Sequence, residues 1–307
     1  MRWLIAVLAA LVLVPTAAAQ LTPEPSLVST RVIGIHYRAH DGQLRPAWLL
    51  LPVGYDGKHP LPLVISPHGR GVGAAANMRI WGDLPGEGGF AVINPAGEGR
   101  RLHQYSWGYR GQIDDLARMP QIVEAHGVRV DPSRIYAVGG SMGGQETLLL
   151  AALHPHLLAG AVAFDPATDM RRRYDDFAHM KGGAVLQALA RTEIGGTPAQ
   201  VPAAYAARSP DTFAARLARA DIPIQLYWST QDRIIRDQRL ETQRLALSLR
   251  QDDDEARLWD FTGAWQHTAE MRASRRLPRA LARFGLLPWD DVPPLSSVAR
   301  PARVLGV

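Results

Sequence analysis

The segment Gly139-Gly140-Ser141-Met142-Gly143-Gly144 constrains this chain more than any other. A strand-like run, Arg134 to Val138, leads into it, and a helix-like run, Gln145 to Leu153, leaves it. A serine between glycines at a strand-to-helix turn is the pattern of a nucleophile elbow. The turn is sharp, so Cβ atoms on the flanking residues would collide. The strain pushes the Ser141 hydroxyl out of the fold, and the helix that follows directs free N–H groups toward it. A capping serine in a glycine-rich turn would look the same in isolation, so the rest of the chain must supply what such a nucleophile needs.

A serine hydroxyl is a weak nucleophile at neutral pH and requires a general base, itself oriented by a carboxylate. In an α/β sheet both should come from loops at the C-terminal ends of strands. Of the 10 histidines, only His179 and His267 lie well beyond the elbow helix. His179 sits in a polar stretch. His267 follows the last strand-like run, so it is the expected base. Asp232, in the loop after the run Ile222 to Ser229, is the expected carboxylate; Asp165 and Asp237 are the alternatives. The oxyanion of a tetrahedral intermediate needs two donors. Met142 N–H should be one. The glycine-rich loop Pro67 to Gly73 should supply the other from Gly69 or Arg70, with His68 a structural loop residue.

The remaining runs alternate between strand and helix. Strands are expected over Thr30–Tyr37, Gln43–Leu51, Leu61–Ser66, Phe90–Asn94, Leu157–Phe164, Ile222–Ser229 and Ala256–Phe261, with a turn at Asp131-Pro132-Ser133 before the elbow strand. Helices are expected over Ile113–His126, Asp211–Ala220, Arg236–Arg250 and Ala269–Phe284. Such alternation implies a mostly parallel sheet with helices on both faces. Residues 169–208 interrupt it and read as either a small lid-like insertion or a crossover with one extra helix.

Length and composition set the outer bounds. With 307 residues, 47% of them hydrophobic, the chain suits one large α/β domain. There is no cysteine, which removes disulfides, thiol nucleophiles and Cys-based metal sites. No His-Glu-x-x-His pattern is present, and no metal or cofactor is expected. The net charge of +5 comes from arginines spread along the chain, a solvated surface rather than a nucleic-acid patch. Residues 1–19 combine Arg2, an apolar run from Trp3 to Val14, Pro15 and small residues at Ala17-Ala18-Ala19. They are expected to be a secretory signal peptide, giving a secreted or periplasmic product with no stable membrane insertion. A linker (20–29), a catalytic domain (30–285) and an extended tail (286–307) complete the expected organisation.

The His68-Gly69 loop, the Gly139-x-Ser141-x-Gly143 elbow, Asp232 and His267 together resemble the α/β-hydrolase superfamily. Asp131-Pro132-Ser133-Arg134-Ile135 leading into the elbow, and Arg208-Ser209-Pro210, are similar to the prolyl-oligopeptidase-like catalytic domain. The same pieces are similar to secreted polyester depolymerase-like, feruloyl and acetylxylan esterases. The resemblance implies an α/β-hydrolase fold over about Thr30 to Phe284 and hydrolysis through an acyl-enzyme. The expected substrate is a small or polymeric carboxylic ester, since the chain has no room for the propeller that accompanies such peptidases. A peptide substrate is the runner-up, and a non-catalytic binding protein is the reading from another class. This chain departs from the family pattern in two places. Trp228-Ser229-Thr230 stands where the family often has His-Gly, and Trp265-Gln266 precedes His267 where glycine or proline is more usual. Tyr105, Trp107, Tyr109, Trp81 and Trp265 could line a cleft or simply pack.

Overall fold

The computed structural model describes residues 28–252 and 257–292. The expected signal peptide and most of the linker and tail lie outside the described residues. Among the described residues, eight strands form one sheet: β1 (Thr30–Arg38), β2 (Leu44–Pro52), β3 (Leu61–Ile65), β4 (Ala91–Pro95), β5 (Val130–Gly140), β6 (Gly160–Phe164), β7 (Ile224–Ser229) and β8 (Leu258–Gly263). Their order is β1-β2-β4-β3-β5-β6-β7-β8. β2 runs antiparallel to both β1 and β4, and every later pairing is parallel.

The sequence explains why both sheet faces are covered. β3 is an unbroken apolar run, as a strand buried on two sides must be. Leu63 and Ile65 enter one core with Ala137, Leu148 and Leu226, while Val64 enters the opposite core with Val138, Phe164 and Leu281. Neighbouring residues thus feed two separate hydrophobic layers, one under each set of helices. A third cluster joins Met170, Tyr174, Phe177, Ala190, Ile194 and Tyr205 of the 169–208 segment to Trp107, Met142 and Ile235. Glu193, fully buried on the segment's Gly183–Ile194 helix, accepts the backbone N–H groups of Arg100, Arg101 and Leu102. The segment is therefore anchored to the body by packing and by a carboxylate.

Several expected elements are cut differently. The expected helix over 113–126 is two helices, Arg110–Ala117 and Met119–Ala125. Pro120 cannot donate a backbone N–H and fits only in the first turn of the second. The closing helix is reduced to Leu277–Arg283, beginning just before Pro278 for the same reason. Asp131-Pro132-Ser133 lies inside β5 and not before it: Asp131 Oδ1 takes Ser133 N–H at 3.0 Å, and the β3–β5 register shifts between Leu61 and Leu63. The tight local bond is absorbed as an irregularity of the strand. The expected helix over 236–250 starts with a π-turn, Arg239–Gln243, before the α-helix Arg244–Asp252.

Because β3, β5, β6, β7 and β8 are parallel and adjacent, their C-terminal ends share one edge. The Gly69 loop, Ser141, Asp165, Asp232 and His267 each lie in the chain just after one of these strands, and that edge is where they meet.

Candidate active site

Ser141 directly follows β5, at φ +58° and ψ −123°, a conformation that side-chain-bearing residues avoid. It is held there from both sides, with its N–H donating to Phe164 O at 2.8 Å and its carbonyl accepting Gln145 N–H at 3.0 Å. The flanking glycines are forced. A Cβ on Gly139 would overlap the carbonyl of Gly143, and a Cβ on Gly143 would overlap the carbonyl of Pro67. The elbow and the Pro67–Gly69 loop are therefore in backbone contact.

That loop is organised by His68, which is buried. Its Nε2 accepts Gly97 N–H at 2.7 Å, so the ring proton resides on Nδ1, which donates to Gly69 O at 2.8 Å. Burial pushes the His68 pKa down and keeps the ring neutral. The Gly69 carbonyl also accepts Val72 N–H at 3.1 Å. No described peptide bond is cis, so the Arg70 N–H points away from that carbonyl. A Cβ on Gly69 would come within 3.8 Å of Ser141 Cβ, which puts the loop beside the hydroxyl. The Gly69–Arg70 peptide is thus fixed by its carbonyl, with its N–H on the opposite side.

His267 Nδ1 meets Asp232 Oδ2 at 2.7 Å. Asp232 is fixed in turn, its Oδ1 taking Ile234 and Ile235 N–H at 2.8 and 3.0 Å and its Oδ2 taking Gln238 Nε2 at 3.1 Å. Burial works to raise the Asp232 pKa. The hydrogen bond and charge of His267, with the Gln238 and Ile235 donors, outweigh it and hold the carboxyl below its ordinary value. His267 Nε2 is buried with no hydrogen-bond partner among the described residues, which leaves it free to take a proton. His267 and Ser141 line one cavity of about 280 Å³, together with Gly69, Arg70, Val72, Ala76, Ile80, Ile234, Met271 and Arg272. His179 is exposed in a groove on the far side of Ile234 and Asp232. Of the five aromatic residues considered for a cleft, none lines the cavity, and Trp81, Trp107 and Trp265 are buried.

Asp165 has a task that sequence reasoning gave it only as a rival to Asp232. It is fully buried at φ +44°. Its Oδ1 accepts Ser229 N–H at 2.8 Å, and its Oδ2 accepts Trp265 Nε1 at 2.9 Å and Thr268 N–H at 2.7 Å. Ser229 Oγ in turn donates to Trp265 O at 2.6 Å and accepts Trp265 N–H at 2.9 Å. The two departures from the family pattern, at Ser229 and Trp265, thus bond to each other and to Asp165. Together they tie the Asp232 loop to the His267 loop. Burial pushes Asp165 up to about 6, with His267 and Asp232 acting on it in opposite directions. Asp165, Asp232 and His267 offer ligand atoms within 4.8 Å of one another, a spacing a metal ion would accept. In this structure those atoms serve the hydrogen bonds just described.

A family model described as the prolyl oligopeptidase family matches residues 88–284, well over half of the chain. The chain belongs to the prolyl oligopeptidase family. The match spans the elbow, Asp165, Asp232 and His267. The fold also resembles that of solved structures at low identity. A putative dipeptidyl aminopeptidase IV from Bacteroides ovatus aligns with a TM-score of 0.64 at 15% identity, over 84% of this chain and 36% of that one. A puromycin-hydrolyzing peptidase from Mycobacterium tuberculosis gives 0.64 at 20% identity, over 86% and 40%. An esterase from the fungus Rhizomucor miehei gives 0.63 at 14% identity, over 84% of both chains. This chain spans well under half the length of the two peptidases. The α/β-hydrolase fold of a prolyl oligopeptidase family member fits a serine hydrolase, with both peptidases and esterases among its structural relatives.

Proposed function

We propose that this chain is a secreted serine hydrolase that cleaves a carboxylic ester, with Ser141 as nucleophile, His267 as base and Asp232 as the carboxylate that orients it. The observation that carries the chemistry is the His267 Nδ1–Asp232 bond at 2.7 Å on the cavity that Ser141 lines at a strained elbow. With Nδ1 donating to Asp232, Nε2 is the acceptor. Ser141 Oγ attacks the ester carbonyl as its proton passes to Nε2. The oxyanion is held by Met142 and Arg70 N–H. The tetrahedral species expels the alcohol, which leaves with the proton from Nε2, and water repeats the cycle on the acyl-enzyme.

Preference for an ester rests on the cavity lining. Val72, Ala76, Ile80, Ile234 and Met271 suit an acyl chain, and the lining holds no carboxylate. A peptidase that reads a substrate's amino terminus needs an acid to hold the ammonium. Peptide hydrolysis is the second reading, favoured by family membership. Secretion rests on residues 1–19 alone. The test is kcat/KM on short-chain p-nitrophenyl esters against aminoacyl-nitroanilides, with Ser141→Ala as control. Ester turnover exceeding anilide turnover and vanishing in the variant is expected; the reverse preference would make the chain a peptidase. Cell fractionation of the host expressing the full sequence tests export, which retention of the whole product in the cytoplasm would contradict.

A further inference from the structure

The cations around Ser141 are not used by anything so far described. Arg70 is half-buried in the cavity wall, and Arg272 stands exposed in the same lining. Beyond Ile234, which belongs to both, the adjoining groove is lined by His179, Lys181, Arg233 and Arg236. The only carboxylate in either lining is Asp232, already bonded to His267. Among the described residues Arg70, Lys181, Arg233 and Arg272 make no ion pair, whereas Arg236 acts on Asp176 through its backbone N–H and its charge. Exposed arginines on a rim cost little and mean little singly.

Arg70 differs, because it gives up water without gaining a carboxylate. Its guanidinium instead lies 5.8 Å from the centre of the Phe177 ring. A second guanidinium, that of Arg173, lies 4.6 Å from the same ring. Arg173 is 4% exposed, its Nη1 has no hydrogen-bond partner among the described residues, and its ion-pair carboxylate, Asp176, stands 3.8 Å away. Burial and the charge of Arg70 push the Arg173 pKa down to about 10. Two like charges thus sit beside one ring, with Asp176 opposing Arg173 at 3.8 Å and no carboxylate paired with Arg70 in the cavity wall.

We infer that the ester this chain cleaves carries a carboxylate close to the scissile bond, received by the Arg70 guanidinium with support from Arg272 and the Arg233–Arg236 rim. The inference deepens the ester reading and rests on it. Arg70 would serve twice: its backbone N–H meets the oxyanion, and its side chain meets the anionic group. That group is therefore placed within one arginine side chain's length of the reacting carbonyl. Binding would also offset the repulsion between Arg70 and Arg173.

Two substrate pairs test this and distinguish the side on which the charge lies. Monoethyl against diethyl adipate puts the carboxylate on the acyl side, and 4-acetoxybenzoate against 4-acetoxybenzamide puts it on the leaving group. In at least one pair the anionic member should show a kcat/KM about tenfold higher, the scale of one charge-assisted hydrogen bond. Added salt should erode that preference and leave the neutral member unaffected. Arg70→Gln should bring the ratio of the two substrates near one, Arg70→Lys should restore part of it, and Arg272→Gln, at an exposed position, should lower it part way. Using a ratio within each variant separates recognition from any general loss of folding or rate. Ser141-dependent turnover that is equal for both members, or faster for the neutral one, in both pairs would overturn the inference and leave the ester reading standing. Failure of folded wild-type protein to turn over any of the four esters would overturn both.

Discussion

The backbone N–H of Thr268 donates to the carboxylate of Asp165 at 2.7 Å, and both residues hold positive φ, +55° and +44°. Thr268 directly follows His267, so this bond sets where the His267 loop can lie. A β-branched residue in that region costs energy that only a fixed partner sustains. With Ser141, three strained residues other than glycine converge on the reaction edge of the sheet.

Replacing Asp165 with Asn turns one acceptor into a donor where only donors approach. Trp265 Nε1, Thr268 N–H and Ser229 N–H cannot all be satisfied by an amide. Asp165→Asn should lower stability by about 1–3 kcal/mol and reduce kcat more than it changes KM. Thermal melting with steady-state kinetics checks both; an unchanged kcat would show that His267 is positioned without this carboxylate.

Removing the His68 ring leaves Gly97 N–H and the Gly69 carbonyl without their shared partner. The Arg70 peptide then loses its fixed direction. His68→Ala should cut kcat by about ten- to a hundredfold, less than deletion of an oxyanion donor outright. Because the ring is neutral and is not the base, the pH dependence of kcat should keep its shape, as a pH–rate profile would reveal.

Gly143→Ala should be inactive. Its Cβ would enter the Pro67 carbonyl, and the elbow helix or the His68 loop must shift to relieve the overlap. A loss of several kcal/mol or a soluble protein that no longer turns over ester is expected, measured by melting and activity on one preparation.

Two buried acids off the reaction path set a pH dependence of stability. Burial pushes Glu146 and Glu241 each up to about 8 from an ordinary 4.5. Each binds its proton more tightly in the folded chain. The stability this contributes is complete below 4.5 and is lost as pH rises through about 8. Glu146 pairs with Ser106 Oγ, a bond that glutamine can keep. Glu146→Gln should therefore melt near the wild type at about pH 5 and several degrees above it at about pH 9. Parallel melting curves at the two pH values would contradict that assignment of burial.

Much of the site was readable from residue order alone. The glycines around Ser141, an aspartate after one strand and a histidine after the last identified the residues that the structure gathers at one edge. Two kinds of feature were not readable. Helix ends near Pro120 and Pro278 depend on which turn the proline enters, and periodicity does not tell. Asp165 depends on Trp265 and Thr268, some hundred residues on. Ser229 and Trp265, met in sequence as departures from a pattern, gain meaning only when their mutual hydrogen bonds are seen. The Arg70 side chain was likewise hidden behind its backbone, since its lack of an ion pair is a property of the folded cavity.

The most direct measurement is intact-mass analysis of folded protein after exposure to a fluorophosphonate, with Ser141→Ala and His267→Ala treated in parallel. A single adduct on the wild type, none on Ser141→Ala and strongly slowed labelling of His267→Ala is the expected result. An unlabelled wild type, or an adduct that persists in Ser141→Ala, would contradict the assignment of Ser141 as the nucleophile.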